Sequence, residues 1–408
     1  MKRQPRHKLA SSLILNYLST FLKKLSHGYD KILMSASVKI SLMVKYIEDN
    51  CQSLRSREKR ISRQLMSLRW DEDVLIRNHL QRASSFIDDF TVIAVDISDI
   101  SKRYGYCFEY MSRVYDESSD SFVDGYWFLI ISAVIGKGKQ VVLYAFPFGS
   151  KVPGFESQTK EIEKGVSKVA QVIGNKGLWV MDRGFDSILI FSFFCAFKLR
   201  FLVRIYKDRS ISGGKRLIKI GESMSLPYSR EIVVKRWNGR RRKKENVLVS
   251  FGFREVQFEE RWNPYTRRRE ALELTLLVFE GVYKQGERSY FITSERIENP
   301  EQCIYLLRQY MKRWGCEDAI RFLKQEFKIE DIRVLKFKSI CRLMIFSILA
   351  FAFLFELEFY FQKRSRWVLK CLYQWGMEID SCATFLYYRL HRTLLFLFNF
   401  NFVLNNFN

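Results

Sequence analysis

The chain has 408 residues, 48% of them hydrophobic and 15% aromatic. That is enough apolar material for two or three domains with their own cores, and it excludes a disordered chain. The formal net charge of +24 and pI near 9.7 point to a polyanionic partner. The charge is spread along the chain, which favours nucleic acid over the single juxtamembrane cluster of a polybasic membrane anchor. Eight cysteines are scattered without a CxxC, and no histidine stands near one at ligand spacing, so a structural zinc site is not expected. No secretory signal is visible, and reduced thiols in a cytosol are the default.

Residues 1–88 read as a helical, basic domain. Ile14, Leu18, Phe21 or Leu22, and Leu25 recur at helical spacing, and Arg55, Arg57, Lys59, Arg60 and Arg63 form a dense basic run. Such a module grips phosphates or is simply a solvated helix face.

Residues 89–205 follow a different pattern. Thr91–Ile97 is a short β-branched apolar run, hence a buried strand, and Asp96 ends it. A carboxylate there is either a cap or a metal ligand, and Asp99 competes for the same role. Two apolar runs between Gly125 and Gly149 flank Gly136-Lys137-Gly138-Lys139 and form a hairpin. A helix over Thr159–Ile173 and a strand over Leu178–Met181 come next, closed by Asp182. Phe185–Phe197 reads as a buried helix and Arg200–Ile205 as a strand. This is the element order of a ribonuclease H-like domain, a mixed α/β sheet flanked by helices.

Residues 206–294 read as an all-β insertion with strands over Arg230–Arg236, Asn246–Phe253 and Leu272–Glu280. The basic run Arg240, Arg241, Arg242, Lys243 and Lys244 can track a phosphate backbone or be a solvated loop. Trp237 and Trp262 either stack on an unpaired base or fill a small core.

Residues 295–365 read as the second part of the ribonuclease H-like domain. Asn299, Pro300 and Gln302 form a helix start. A helix launched there and continued to Lys324 carries Tyr310, Arg313, Glu317 and Lys324 within an arc of about 60°. Gly315 weakens that helix, and Asp318 falls on its apolar side. Leu343–Phe355 is almost wholly apolar but short for a bilayer, so a buried core helix is expected. Residues 366–408 are a helical region with a Phe/Asn-rich tail to which no function attaches.

Tyr310, Arg313, Glu317 and Lys324, together with the two aspartate-ended strands VIAVDISDI and LWVMDRGFD, resemble the DDE transposases of bacterial insertion sequences that carry the YREK signature. The resemblance covers roughly residues 90–350. It implies that Asp96, Asp182 and Glu317 are catalytic and bind two Mg²⁺ ions, with Mn²⁺ able to substitute. It implies that Tyr310, Arg313 and Lys324 contact the DNA end, as do insertion-domain residues. The expected activity is cleavage of double-stranded DNA at terminal inverted repeats and transfer of the freed 3′-hydroxyl to target DNA. A homodimer in the DNA complex and a bacterial cytoplasmic, nucleoid-associated setting go with it, and no membrane. The chemistry suits these residues: hard carboxylate oxygens hold Mg²⁺, and paired ions activate water and neutralise a leaving oxygen. Two other readings stay open, a ribonuclease H-like nuclease without strand transfer and an inactive DNA-binding derivative.

Overall fold

The structure, a computed structural model, describes residues 37–43, 53–67, 71–103, 105–116, 119–136, 139–237, 242–364, 366–379 and 387–395. The predicted helical pattern at Ile14–Leu25 and the Phe/Asn-rich end beyond residue 395 lie outside them. Three helices come first: α1 (Ile40–Met43), α2 (Leu54–Met66) and α3 (Glu72–Ser84). The strands β1 (Val92–Ser101), β2 (Ser112–Asp116), β3 (Ser121–Gly136) and β4 (Lys139–Phe148) follow. Next are α4 (Gln158–Ile173), β5 (Leu178–Met181), a 3-10 turn at Arg183–Phe185, α5 (Ile188–Ala196) and β6 (Phe201–Ile205). The inserted region holds β7 (Ser210–Ile211), β8 (Lys215–Arg216), α6 (Leu217–Ser223), β9 (Tyr228–Trp237) and β10 (Arg242–Gln257). It ends with β11 (Arg261–Asn263), β12 (Arg268–Glu270), β13 (Glu273–Glu280) and β14 (Arg288–Thr293). The chain then runs through α7 (Pro300–Lys312), α8 (Trp314–Gln325), a 3-10 turn at Ile329–Asp331, α9 (Phe337–Arg364) and α10 (Arg366–Ile379). A helical segment at 387–395 closes the described chain.

These elements form two compact units, one of residues 86–96 and 162–314, the other of residues 1–85, 97–161 and 315–408. The first is built on a mixed sheet. β1 pairs in parallel with β5, and β5 with β6. β14, β13, β10 and β9 then add antiparallel neighbours in turn. Val92–Val95 and Leu178–Met181 are apolar on both faces and fully buried, as strands covered on both sides must be. The helix α5 has no polar face. Its Phe191 and Phe194 rings pack 5.7 and 5.6 Å from Phe201 of β6, so aromatic area rather than amphipathicity holds it. The inserted region is rich in strands, as expected, with one short helix, α6, among them.

In the second unit β2 pairs with β3 and β3 with β4, all antiparallel, and the predicted hairpin closes at Gly136↔Lys139. The distal half of β1 runs beside β3, where the Lys102 N–H donates to the Asp124 carbonyl at 2.7 Å. The long helix α9 packs on β4. Its apolar window is 89% buried, the condition of a core helix. Arg342 of α9 is itself 1% exposed. It donates to the Leu65 and Ser67 carbonyls at 2.6 and 2.8 Å and to Glu72 at 2.6 Å, so it ties the end of α2 and the start of α3 to the core. A buried guanidinium is tolerable only with this many acceptors.

Two expectations are corrected. The strand predicted to end at Asp96 continues to Ser101. Only its first part faces β5; beyond Asp96 it belongs to the second unit, where a half-polar sequence suffices. The single helix expected from Asn299 to Lys324 is two. The α7 start carries the predicted capping box of Asn299 and Gln302 with Pro300 in the first turn. The helix then stops at Arg313, whose N–H bonds three residues back to the Tyr310 carbonyl at 3.0 Å, and α8 begins at Trp314, passing into the second unit at Gly315. Gly315 is part of the reason. It lowers helix propensity at the break, and a Cβ there would stand 2.7 Å from Gln140 Oε1 and 3.2 Å from Val134 Cγ2. The shared arc inferred from one helix therefore does not carry across residue 313.

Candidate active site

In the first unit the parallel register sets the site. Its last pair, Val95↔Met181, leaves Asp96 and Asp182 as the next residues on neighbouring strands, which lie about 4.8 Å apart. Both side chains are part-exposed, although the strands below them are sealed. Asp182 caps the 3-10 turn, its Oδ1 accepting from the Gly184 N–H at 2.8 Å. Asp96 Oδ2 accepts from Arg313 Nη1 at 3.2 Å.

Arg313 sits at the end of α7 beside Tyr310, with its guanidinium carbon 5.9 Å from that ring. Tyr310 is 4% exposed and packs edge-on against Phe291 of β14 at 4.8 Å. Burial pushes its phenol above the ordinary value. Arg313 and Arg204 pull it down, and Asp182 pushes it up. Two carboxylates, two guanidiniums and a phenol thus feel one another within this unit.

The second unit holds the remaining motif residues. Glu317 lies in the first turn of α8 and is half-buried. Lys324 Nζ lies 3.0 Å from Asp99 Oδ1 and 3.0 Å from Glu330 Oε1. Burial lowers the ammonium's pKa, but Glu330 and Asp99 outweigh it and hold it above the ordinary value. Asp99 is 7% exposed and also accepts from Ser101 Oγ at 2.6 Å, so it anchors Lys324. Asp318 is not on an apolar face. Its side chain is 45% exposed and pairs with Arg321 one turn on, at 3.5 Å. Asp186, close to Asp182 in sequence, has a structural post. It accepts from the Tyr206 and Lys207 N–H groups at 3.0 and 2.8 Å and from Arg209 Nε at 3.1 Å.

In the inserted region the basic run lies where β9 and β10 meet, with Trp237 opposite Arg242, Arg236 opposite Lys243 and Lys235 opposite Lys244. Arg240 and Arg241 lie outside the described residues. Lys244 is exposed. Trp262 is 61% exposed, so it does not fill a core. Arg204 and Tyr283 belong to no motif, and sequence reasoning missed them. The guanidinium of Arg204 lies 4.1 Å from the centre of the Tyr283 ring. The one sequence signal for it was an arginine in the otherwise apolar strand FLVRI.

Asp96 and Asp182 supply the hard oxygen donors a divalent cation takes, Asp96 within β1 and Asp182 just past the end of β5, one residue beyond the Val95↔Met181 pair. That donor chemistry fits Mg²⁺ or Mn²⁺. Among the described residues no three His, Cys, Asp or Glu side chains gather closely enough to hold a metal ion.

The Transposase DDE domain model matches residues 131–353, more than half of the chain. Asp182, Tyr310, Arg313, Glu317 and Lys324 fall inside the match, and Asp96 precedes it. No curated protein matches the chain. Similar solved structures include a cryo-EM piggyBac transposase synaptic complex with hairpin DNA, at TM-score 0.38 and 10% identity, covering 78% of this chain and 54% of that one. Another is the NurA nuclease from Sulfolobus solfataricus, at TM-score 0.30 and 10% identity, covering 77% of this chain and 96% of that one. The chain thus spans about half the length of the piggyBac transposase.

Proposed function

Because the chain belongs to the Transposase DDE domain family, we propose that it cuts double-stranded DNA at the ends of a transposable element and transfers the freed 3′-hydroxyl to target DNA. The observation that carries this reading is the parallel register that leaves Asp96 and Asp182 side by side past Val95↔Met181. Asp96 and Asp182 hold Mg²⁺ or Mn²⁺, with Glu317 as the third acid by its place in the YREK motif. A bound divalent ion of this kind neutralises charge on a phosphate and lowers the pKa of an attacking water.

The chain's own side chains do the rest. Arg313 balances Asp96 while no metal is bound and turns to a DNA phosphate when one is; a guanidinium fork suits both carboxylate and phosphate. Tyr310, seated on Phe291, fixes where Arg313 stands. Lys324 presents a positive charge on α8, oriented by Asp99 and Glu330. The basic residues Arg240–Lys244, with Trp237, contact DNA flanking the cut. Two copies of the chain, each holding one end, make the active complex.

The test is nicking of a duplex taken from the DNA bordering the gene, by the full-length chain, with Mg²⁺ and with EDTA. Nicking that needs the metal and is lost in Asp182→Ala supports the reading, and 3′-end joining to a second duplex separates a transposase from a simple nuclease. An Asp182→Ala protein that still nicks in Mg²⁺ rejects the assignment.

A further inference from the structure

The end of α8 carries a charge where a helix least tolerates one. Glu326 follows the last residue of the helix, and its N–H still bonds back to the Phe322 carbonyl at 2.8 Å. Its side chain is 4% exposed. A carboxylate there is disfavoured twice, by burial and by the partial negative charge of the helix C-terminus. Burial pushes the carboxyl pKa up, but His391 and Arg392 outweigh it and hold it below the ordinary value. His391 stands 65 residues further along the chain, with its Nδ1 2.8 Å from Glu326 Oε2. An ionised carboxylate only accepts, so Nδ1 carries the proton. Arg392 donates to the same carboxylate through Nε at 3.1 Å and through Nη2 at 2.6 Å.

His391 and Arg392 lie in the helical segment at 387–395, in the same compact unit as Glu326 and the two motif residues of α8. The segment grips α8 again one residue earlier, where the Tyr388 hydroxyl donates to Gln325 Oε1 at 2.8 Å. The Tyr388 and His391 rings meet Phe322 of α8 edge-on at 5.1 and 5.7 Å. On its other side the Tyr387 ring lies 5.1 Å from Phe351 of α9, and Thr393 Oγ1 donates to the Leu372 carbonyl of α10 at 2.7 Å. Leu390 and Leu394 are buried, so apolar area docks the segment while its charged groups single out the end of α8. A buried ion pair adds little net stability over apolar packing, but its short directional bonds fix where one element stands against another. What is fixed here is α8, which carries Glu317 in its first turn and Lys324 in its last.

We propose that the 387–395 segment is a clasp on α8, and that Arg392 and His391, acting through Glu326, are positioning residues for Glu317 and Lys324. This rests on the reading of Glu317 as the third acid of a DNA-cleaving centre. With the clasp closed, the buried carboxylate is paired and the end of α8 is locked. With it open, Glu326 is left charged at the negative end of the helix, and the last turn, with Lys324, relieves it by unwinding toward water. The C-terminal segment therefore sets cutting activity through α8.

The test is amide hydrogen exchange on the full-length chain, beside Mg²⁺ nicking kinetics of the same proteins on the bordering-DNA duplex. The Arg392 side chain is 39% exposed, so its truncation opens no buried hole. Arg392→Ala is expected to quicken exchange at the Glu326 N–H and along the last turn of α8 about tenfold, with the amides of β5 and β6 unchanged. It is expected to lower kcat about ten- to a hundredfold with the KM for the duplex kept. Arg392→Lys restores most of both. Adding Glu326→Gln to Arg392→Ala removes the stranded charge and slows the exchange again. If Arg392→Ala does not fold, Arg392→Gln, which keeps a donor but loses the charge, carries the same expectation. Wild-type exchange along α8 in a folded Ala or Gln variant overturns the clasp, whether or not the wild-type chain nicks. Exchange quickened evenly across the unit, with kcat kept, means a purely structural role and overturns it too. A wild-type chain that never nicks, with exchange quickened only along α8 in the variant, overturns the enzymatic reading and leaves the clasp standing.

Discussion

Arg313 Nη1 lies 3.2 Å from Asp96 Oδ2, and the two side chains are 9% and 16% exposed. The arginine closes α7 and the aspartate stands one residue past the last parallel pair of β1 with β5. A carboxylate in so little water needs a counter-charge. In the absence of metal the protein supplies it from its own chain, and the same carboxylate is a proposed metal ligand. Cation and guanidinium therefore compete for Asp96.

That competition is measurable as linkage. Arg313→Ala removes the guanidinium from beside Asp96 and is expected to cost about 3 kcal/mol, the low end for one partner of a buried pair. Mg²⁺ binds the variant without having to displace the guanidinium, and binding to the folded state alone stabilises it. Thermal melting with and without Mg²⁺ is expected to show a larger metal-induced rise in the variant than in the wild type. If Mg²⁺ moves neither melting curve, the proposed ligand role of Asp96 fails.

Two aspartates four residues apart are expected to separate function from folding. Asp186 has a fully buried side chain paired with Arg209 and accepts two backbone N–H groups. Asp186→Ala strands all of these and is expected to cost about 3–5 kcal/mol. Asp182→Ala loses one cap bond to Gly184, worth about 1 kcal/mol, while abolishing nicking. Urea unfolding of both variants beside the nicking assay checks the pair. Equal stability losses would mean that Asp182 is structural as well.

Much of this was legible in the sequence because local rules agree there. The run Leu178–Met181 is apolar on both faces, so it could be only a buried strand, and its observed bounds are those residues. The capping box at Asn299 and Gln302 needs no tertiary partner to form, and both of its bonds are present. The rest depended on neighbours distant in sequence. Ile97–Ser101 has no strong strand pattern of its own, and β3 beside it supplies the bonds. Helical periodicity alone runs through Arg313, whereas the chain changes unit just beyond it. Asp99 looked like a rival catalytic acid until its partner Lys324, 225 residues away, was known. Arg204 belongs to no motif, and only its stacking on Tyr283 singles it out.

Gly125 offers a test of how β1 is held. A Cβ on Gly125 of β3 would stand 2.3 Å from the Ile100 carbonyl oxygen and 3.1 Å from Val114 Cγ2. The first of these is backbone, which no rotamer change relieves. Gly125→Ala is expected to cost at least about 1–3 kcal/mol and to push apart β3 and the segment that carries Asp99. Hydrogen exchange at the Lys102 N–H, which bonds to Asp124, is expected to quicken with the loss. A variant as stable as the wild type, with that amide still protected, would show that the strands do not approach this closely.

His79 gives the fold an acid limit. It lies on α3, buried, with its Nε2 2.8 Å from the Val142 carbonyl of β4. Burial, opposed by that hydrogen bond and aided by Arg82, lowers its pKa from 6.5 to about 4. The folded state thus favours the neutral ring, while the unfolded chain takes up a proton below pH 6.5. Stability from this group is complete above pH 6.5, falls as the pH drops, and levels off below about pH 4, where both states are protonated. Each pH unit between the folded and unfolded values is worth about 1.4 kcal/mol, so the loss is on the order of 3 kcal/mol. His79→Gln keeps a donor for the Val142 carbonyl and removes the titration. Urea midpoints between about pH 7 and pH 4 are expected to fall less steeply in the variant than in the wild type. Parallel curves would mean that His79 is protonated in the folded protein and that its ring is less enclosed than the structure places it.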